Sequence, residues 1–179
     1  VVEAVGEKVR TLAVGDHVVL AFGHCGACGN CKAGKPGYCL EFYDRNFKGA
    51  RMDGSQAICD HHGHDLGSAF FAQSSFGTYA IATERNAVKI RKDVPLEMMG
   101  PLGCGISPGA GAVLNVLKPH AGASIAIFGA GSVGLSAVMA AAAIGCTTII
   151  VVDLHDSRLE LARELGATHV VNGGIADAV

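Results

Sequence analysis

The chain has 179 residues, of which half are apolar and 17% are charged, and its formal net charge is −2 with a pI of about 6.5. This composition predicts a globular protein with a sizeable core, and the balanced charge argues against a general binder of nucleic acids or anionic membranes. The most apolar stretch, Leu135 to Ile144, is too short to cross a bilayer. We therefore expect neither a nucleic-acid partner nor a membrane partner.

The start of the chain is rich in residues that favour strands. Val1 to Val5 predicts a strand, Gly15 and Asp16 predict a turn, and Val18 to Phe22 predicts a second strand. Because the first strand begins at the first residue, the sequence resembles a chain cut inside a domain. We expect it to be an internal fragment of a longer protein.

Four of the seven cysteines lie close together in a glycine-rich loop, with the spacing C-x2-C-x2-C-x7-C. They are Cys25, Cys28, Cys31 and Cys39. Such a loop has no core of its own, and four thiolates around one Zn²⁺ would supply one as a closed, structural site. Free or disulfide-bonded cysteines and an iron–sulfur cluster are the alternatives. The tight clustering suits metal binding in a reducing cytoplasm better than a disulfide framework, so we expect a cytoplasmic protein.

Residues 40 to 75 show little periodicity and many polar side chains. Cys59, His61, His62 and His64 form a group of side chains that could bind a metal. Their spacing matches no standard site, and a solvated loop with titrating histidines is the favoured interpretation.

The stretch from 76 to 90 alternates well enough to predict two short strands. Pro101 to Leu117 then predicts one helix with a glycine-rich start, and Cys104 lies in its first turn. A lone cysteine of this kind is typically a small buried hydrophobe, and residue chemistry alone does not make it a ligand.

The clearest pattern runs from Ser124 to Asp153. Ser124 to Phe128 predicts a strand, Val133 to Ile144 a helix that Gly145 ends, and Thr147 to Val152 a second buried strand. Beyond this stretch, the predicted elements are a helix over Ser157 to Leu165, with Gly166 at its C′ position, and a third parallel strand over His169 to Val171.

Between the first strand and the helix stands G-x-G-x-x-G, made by Gly129, Gly131 and Gly134. The first glycine permits a sharp turn, the second lets a pyrophosphate approach the backbone, and the third lets the helix pack closely on the sheet. Asp153 ends the second strand, where a carboxylate would bind a ribose 2′-hydroxyl and repel a 2′-phosphate, which favours NAD over NADP. The alternative is an ordinary βαβ turn whose glycines serve packing alone.

Three phrases occur together: the four-cysteine loop, PLGCGISPGAGAVLNVLKP and IAIFGAGSVGLSAV. Together they resemble the zinc-dependent medium-chain alcohol dehydrogenases, and the resemblance covers essentially the whole chain. Four further phrases are most similar to aryl-alcohol (benzyl-alcohol) dehydrogenases: EFYDRNFKGA, FFAQSSFGTYAI, DVPLEMMGPLGCGI and DSRLELARELGATHVVN.

The resemblance implies a mixed α/β fold in two parts. Residues 1–107 would be part of a GroES-like, β-rich catalytic domain whose structural-zinc lobe covers 23–40. Residues 108–179 would be the first half of a Rossmann NAD-binding domain. It also implies a homo-oligomer, either a dimer or a tetramer.

The resemblance assigns roles to individual residues. The four loop cysteines match the structural-zinc ligands, and Cys104 matches one of three protein ligands of a catalytic zinc, the other two being upstream of Val1. The positions that match the pyrophosphate turn are Gly129, Gly131, Ser132, Val133 and Gly134. Asp153 and Arg158 match residues that contact the adenosine ribose.

The implied reaction is oxidation of a primary alcohol, with an aryl or benzyl group, to the aldehyde by hydride transfer to NAD. Phe42, Phe47, Phe70 and Phe71 are the candidates to hold the substrate ring. Pro108 occupies a position at which the family usually has a threonine near the nicotinamide, so this sequence differs from the family pattern at that position. The alternatives are a family member for polyols, formaldehyde or cinnamyl alcohols, and a truncated, non-catalytic zinc- and nucleotide-binding module. The 179 residues alone are expected to be inactive.

Overall fold

The computed structural model describes residues 1–73 and 77–175. The chain divides into two compact units, Val1–Gly100 and Pro101–Val179. Helices and strands both occur, so the predicted mixed α/β class is confirmed. None of the helices in the described residues has the length and apolarity that a membrane crossing needs.

The first unit has short elements joined by long loops. In chain order they are β1 (Val18–Leu20), α1 (Gly29–Lys32), a 3₁₀ turn (Pro36–Tyr38), α2 (Phe42–Asn46), β2 (Ile58–Cys59), β3 (Asp65–Leu66), β4 (Ala87–Lys89) and a second 3₁₀ turn (Leu96–Met98). β1 pairs with β4 and β2 pairs with β3, both antiparallel. The predicted turn at Gly15 and Asp16 is present, with Gly15 at φ +84°.

Two predicted strands of this unit are wrong. Val1 to Val5 is irregular, because its backbone pairing stops at Val2, which bonds to Gly15 and Asp16, and Val1 and Val5 are exposed. Of the two strands predicted between 76 and 90, the second forms as β4. The first begins at Phe76, outside the described residues, and 77–86 contain no strand. Tyr79 and Ile81 are exposed there, so no buried face fixes an extended segment.

Five phenylalanine rings of the first unit form one cluster. Neighbouring ring centroids lie 4.6 to 5.9 Å apart, the range in which aromatic side chains attract one another. The members are Phe22, Phe42, Phe47, Phe70 and Phe71. Most of them come from the stretch that sequence periodicity left least defined.

The second unit is a parallel sheet with helices. Its elements are a 3₁₀ turn (Gly100–Gly103), α3 (Ser107–Gly111), a π-helical turn (Ala112–Leu117), β5 (Ser124–Phe128), α4 (Ser132–Ile144), β6 (Thr148–Asp153), α5 (Asp156–Glu164) and β7 (His169–Asn172). The strand order is β5-β6-β7. The strands and helices predicted from Ser124 onwards are confirmed, and Gly145 and Gly166 have the positive φ expected after a helix.

The single helix predicted over Pro101 to Leu117 is wrong, because it is broken into a 3₁₀ turn, α3 and a π-helical turn. Prolines lack the N–H that an interior helical position must donate. Pro108 is accepted only in the first turn of α3, so α3 cannot begin much earlier. Cys104 therefore lies in the connecting turn and is exposed, not buried as a small hydrophobe.

Gly109 lies where α3 packs against α4. A Cβ at this position would lie 1.9 Å from the carbonyl oxygen of Val133 and 2.2 Å from Ser136 Oγ. One of these atoms is backbone, so side-chain rotation alone cannot make room.

Gly109→Ala should therefore destabilise the unit by roughly 3 kcal/mol, since overpacking forces the helices apart. Gly111→Ala is the matched control, because its Cβ would meet nothing closer than 3.8 Å and alanine is the better helix former. Equilibrium urea denaturation followed by circular dichroism measures both. Equal midpoints for the two variants would contradict the close approach.

Candidate metal centre and nucleotide-binding site

The four loop cysteines converge on one point. Their sulfur atoms all lie within 4.8 Å of one another, and those of Cys25 and Cys31 are 3.9 Å apart. Four sulfurs bound tetrahedrally to one Zn²⁺ lie roughly 3.8 Å from one another. Within 1–73 and 77–175, this is the one group of three or more metal-ligating side chains with such convergence. None of the four forms a disulfide, so the disulfide alternative is excluded.

Backbone N–H groups surround these sulfurs and favour their thiolate forms. The amides of Ala27 and Cys28 donate to Cys25 Sγ at 3.4 and 3.3 Å and lower the pKa of that thiol. The amides of Leu40 and then Cys31 lower the pKa of Cys28 to about 6. Cys25 and Cys39 are buried. The donor set is thus a closed cage of four sulfurs.

Cys31 differs from its neighbours. Burial raises the pKa of its thiol to about 12, and the other three sulfurs add to that shift. A divalent cation among the four sulfurs would supply the positive charge that stabilises all four thiolates. The cluster therefore fits Zn²⁺, and with four protein ligands it leaves no coordination position for a substrate.

Asn46 connects the cysteine lobe to the rest of the first unit. This fully buried side chain accepts a hydrogen bond from the Gly23 amide at 2.8 Å and donates to the Gly23 and Phe42 carbonyls at 2.9 and 2.8 Å. The backbone carbonyl of Asn46 accepts from the Phe71 amide at 2.9 Å. Asn46 thus fixes the start of the lobe with its side chain and contacts the aromatic cluster through both its side chain and its backbone.

The histidines at 61, 62 and 64 occupy the tip of the β2–β3 hairpin and are exposed. His64 Nδ1 lies 3.0 Å from Asp60 Oδ2, and the rings of His61 and His62 are 3.8 Å apart. Their nitrogens do not converge with a third ligand as the sulfurs do. A solvated loop is what the structure shows.

The glycine turn between β5 and α4 has the geometry that a phosphate needs. Gly129 has φ +96°, which lets the chain leave the strand sharply, and a Cβ at Gly134 would lie 1.8 Å from the Gly129 carbonyl oxygen. Gly131 precedes α4, and no side chain caps the helix there. The first N–H groups of α4 therefore remain available to an anion.

All five predicted pyrophosphate positions line one hollow of about 430 Å³ at the start of α4. They are Gly129, Gly131, Ser132, Val133 and Gly134. Gly109 and Ala112 line the same hollow. The residues present thus fit the phosphates of a dinucleotide.

Asp153 lies at the end of β6, in a neighbouring hollow of about 320 Å³ that Phe128, His155 and Arg158 also line. Its carboxylate accepts from the amides of Ala130 at 2.7 Å and His155 at 2.9 Å, and these bonds hold its pKa below the usual value. Arg158 Nη1 lies 4.0 Å away. The ionised carboxylate is held in place and keeps lone pairs for a ribose hydroxyl.

Cys104 and Pro108 lie near the start of α3, and both are exposed. The Cys104 amide donates to the Pro101 carbonyl at 3.2 Å. In the described part of the chain, no convergent group of ligands includes Cys104.

Sequence reasoning missed Asn46, Ala130 and His155. Ala130 and His155 act through their backbone N–H groups, which every residue except proline has, so no residue type marks them. Asn46 acts on Gly23, which is 23 positions away, so no local spacing reveals it.

Two family models match the chain. The alcohol dehydrogenase GroES-like domain matches residues 1–92, and the zinc-binding dehydrogenase family matches residues 132–179. Together they cover both the cysteine lobe and most of the nucleotide-binding unit.

Individual relatives support the same family assignment. Geraniol dehydrogenase from Castellaniella defragrans is 55% identical over 96% of this chain and 46% of its own length. The crystal structure of benzyl alcohol dehydrogenase from Acinetobacter calcoaceticus is 54% identical with a TM-score of 0.89, over 98% of this chain and 47% of that one. An alcohol dehydrogenase zinc-binding domain protein from Burkholderia ambifaria is 57% identical with a TM-score of 0.92, at the same coverage. The chain spans about half the length of the curated relatives it matches.

Proposed function

The chain belongs to the zinc-binding alcohol dehydrogenase family, and from that premise we propose that the whole protein oxidises a primary aryl or benzyl alcohol to the aldehyde with NAD. The observation that carries the proposal is the presence, in one chain, of a four-sulfur metal cluster and a glycine turn followed by an anchored acid. A protein with a structural zinc ribbon alone would not need the glycine turn and the anchored acid. A protein that only binds a nucleotide would not need the four-sulfur cluster.

The proposed roles follow from chemistry. Cys25, Cys28, Cys31 and Cys39 hold a structural Zn²⁺, and Cys104 is a ligand of a catalytic Zn²⁺. When bound, the catalytic zinc supplies a Lewis acid for the alcohol and NAD supplies the hydride acceptor.

The nucleotide unit binds and orients the cofactor. The N–H groups at the start of α4 bind the pyrophosphate, with the glycine turn giving it room. The Asp153 carboxylate accepts a hydrogen bond from the ribose, and Arg158 lines the same hollow.

We propose that the aromatic cluster receives the substrate's apolar group. Phe47 and Phe70 are 42% and 59% exposed although their rings contact the cluster, and exposed rings of this kind suit an apolar ligand. Two relatives are a benzyl alcohol dehydrogenase and a geraniol dehydrogenase. Benzyl alcohol and geraniol are both primary alcohols whose carbinol carbon adjoins a π bond. We propose alcohols of this class as substrates of the whole protein.

The test is a comparison of kcat/KM values for benzyl alcohol, geraniol and ethanol, with NAD and the whole protein. Benzyl alcohol and geraniol should exceed ethanol by at least about tenfold, because ethanol lacks the group that fills an apolar site. A preference for ethanol or for a polyol would overturn the substrate class. Absence of turnover with every alcohol would favour a non-catalytic module.

Asp153→Gly should narrow or reverse the preference for NAD over NADP. The change removes a hydrogen bond to one cofactor and a repulsion against the other, and a hydrogen bond to a charged group contributes about 1.5–3 kcal/mol. The ratio of the two kcat/KM values is the measurement, since partial unfolding cancels in it. Glu160→Gln, which removes an exposed carboxylate from α5, is the charge-matched control and should leave the ratio unchanged. If the wild-type protein had a kcat/KM for NADP at least equal to that for NAD, the role of Asp153 would be disproved.

A further inference from the structure

The backbone of Cys25 is hydrogen-bonded on both sides. Its carbonyl oxygen accepts from Arg85 Nη1 at 2.8 Å, across 60 positions of sequence. Its N–H donates to the Cys39 sulfur at 3.3 Å. The backbone of one ligand residue is therefore bonded both to a guanidinium and to a second sulfur of the cluster.

Gly26 makes this contact possible. Its φ is +69°, and a Cβ there would lie 2.6 Å from Arg85 Nε and 2.8 Å from Cζ. A side chain at this position would displace the guanidinium. Glycine thus serves both the backbone turn and the approach of Arg85.

The bond fixes the position of a ligand. The Cys25 sulfur is one of the four that converge, and it accepts from the amides of Ala27 and Cys28 at 3.4 and 3.3 Å. Arg85 holds the carbonyl of the same residue. Arg85 is itself exposed, so solvent screens its direct field, and its effect comes from holding the Cys25 backbone in place.

We propose that Arg85 is a positioning residue for the structural zinc: it holds the Cys25 carbonyl, keeps the Cys25 sulfur among the other three, and so slows zinc release. The proposal rests on the zinc site of the proposed function. Residues that orient metal ligands from outside the coordination sphere typically change metal affinity 10- to 100-fold.

The experiment measures the rate of zinc transfer from the zinc-loaded chain to a chromogenic chelator. Arg85→Gln should release zinc about 10- to 100-fold faster than wild type. Arg85→Lys should fall between, because an ammonium keeps the charge but not the rigid fork of donors. Lys32→Gln removes one positive charge from the exposed surface of the same lobe and should release zinc at the wild-type rate.

A glycine pair tests the same contact without changing charge. Gly26→Ala and Gly34→Ala both place a methyl group at a positive φ, +69° and +73°, but only the first meets Arg85. Gly26→Ala should therefore release zinc faster than Gly34→Ala.

The Gly26 amide proton in the NMR spectrum of the zinc-loaded protein gives a readout independent of stability. It belongs to the peptide group whose carbonyl oxygen accepts from Arg85. Its resonance should therefore shift in Arg85→Gln and stay in place in Lys32→Gln. If Arg85→Gln released zinc at the wild-type rate and its Gly26 resonance did not move, the inference would be overturned. Failure of the wild-type chain to bind zinc would overturn the metal site itself, and it would be seen before any variant is compared.

Discussion

Replacing Cys28 with serine is expected to abolish tight zinc binding and to unfold the cysteine lobe. The lobe, residues 23–40, contains only α1 and one 3₁₀ turn, and its buried residues are Gly23, Cys25 and Cys39. Binding of a structural zinc contributes roughly 10–16 kcal/mol in small domains. Loss of one of four ligands should therefore cost several kcal/mol, among the largest effects a single substitution produces.

Metal analysis of freshly purified protein and a thermal melt measure this result. Wild type should carry about one zinc at the cluster and Cys28→Ser much less, with a lower melting temperature. Cys59→Ser is the matched control, because Cys59 is exposed and lies outside the cluster. A Cys28→Ser protein as stable as wild type would show that the four sulfurs hold no structural metal.

Cys104→Ser in the whole protein should remove activity without unfolding it. If Cys104 is a ligand of the catalytic zinc, its loss removes a Lewis acid that contributes several kcal/mol to transition-state stabilisation, which is about a thousandfold or more in rate. Cys104 is exposed in a turn, so the substitution leaves no cavity.

Two measurements separate this role from a general loss of function. The zinc content should fall by one ion relative to wild type while the four-cysteine site stays loaded, and the melting temperature should change little. Full zinc content in an inactive variant would show that Cys104 does not bind the metal.

The nucleotide-binding unit was predictable because its signals are local. The runs Ser124–Phe128 and Thr148–Asp153 have strand length and apolar character, and the parallel pairing of β5 with β6 buries Ile127, Ile149 and Val151. The glycines between these two strands determine the conformation of the turn in which they themselves lie. Sequence spacing alone therefore identified the glycines that line the hollow at the start of α4.

The first unit was less predictable because its elements depend on distant partners. β1 and β4 lie some seventy positions apart, in register Val19 with Val88, and β2 and β3 have two residues each. Such short strands have no periodicity to detect. Val1–Val5 has the composition of a strand, yet only Val2 finds backbone partners.

The same contrast applies to the site. Cysteine spacing identified the four sulfurs, since ligands close in sequence converge in a tight loop. Asn46 and Arg85 bond to backbone atoms 23 and 60 positions away, and neither residue type marks such a role. Cys104 entered through family resemblance, because one exposed thiol has no local pattern.

We propose that this chain is part of a zinc- and NAD-dependent oxidoreductase acting on alcohols whose carbinol carbon is next to a π bond. The most direct test is the formation of NADH from benzyl alcohol by the zinc-loaded whole protein, followed by absorbance. We expect steady NADH formation that depends on protein concentration and on benzyl alcohol. A fully zinc-loaded, folded protein that forms no NADH from benzyl alcohol or geraniol would contradict it.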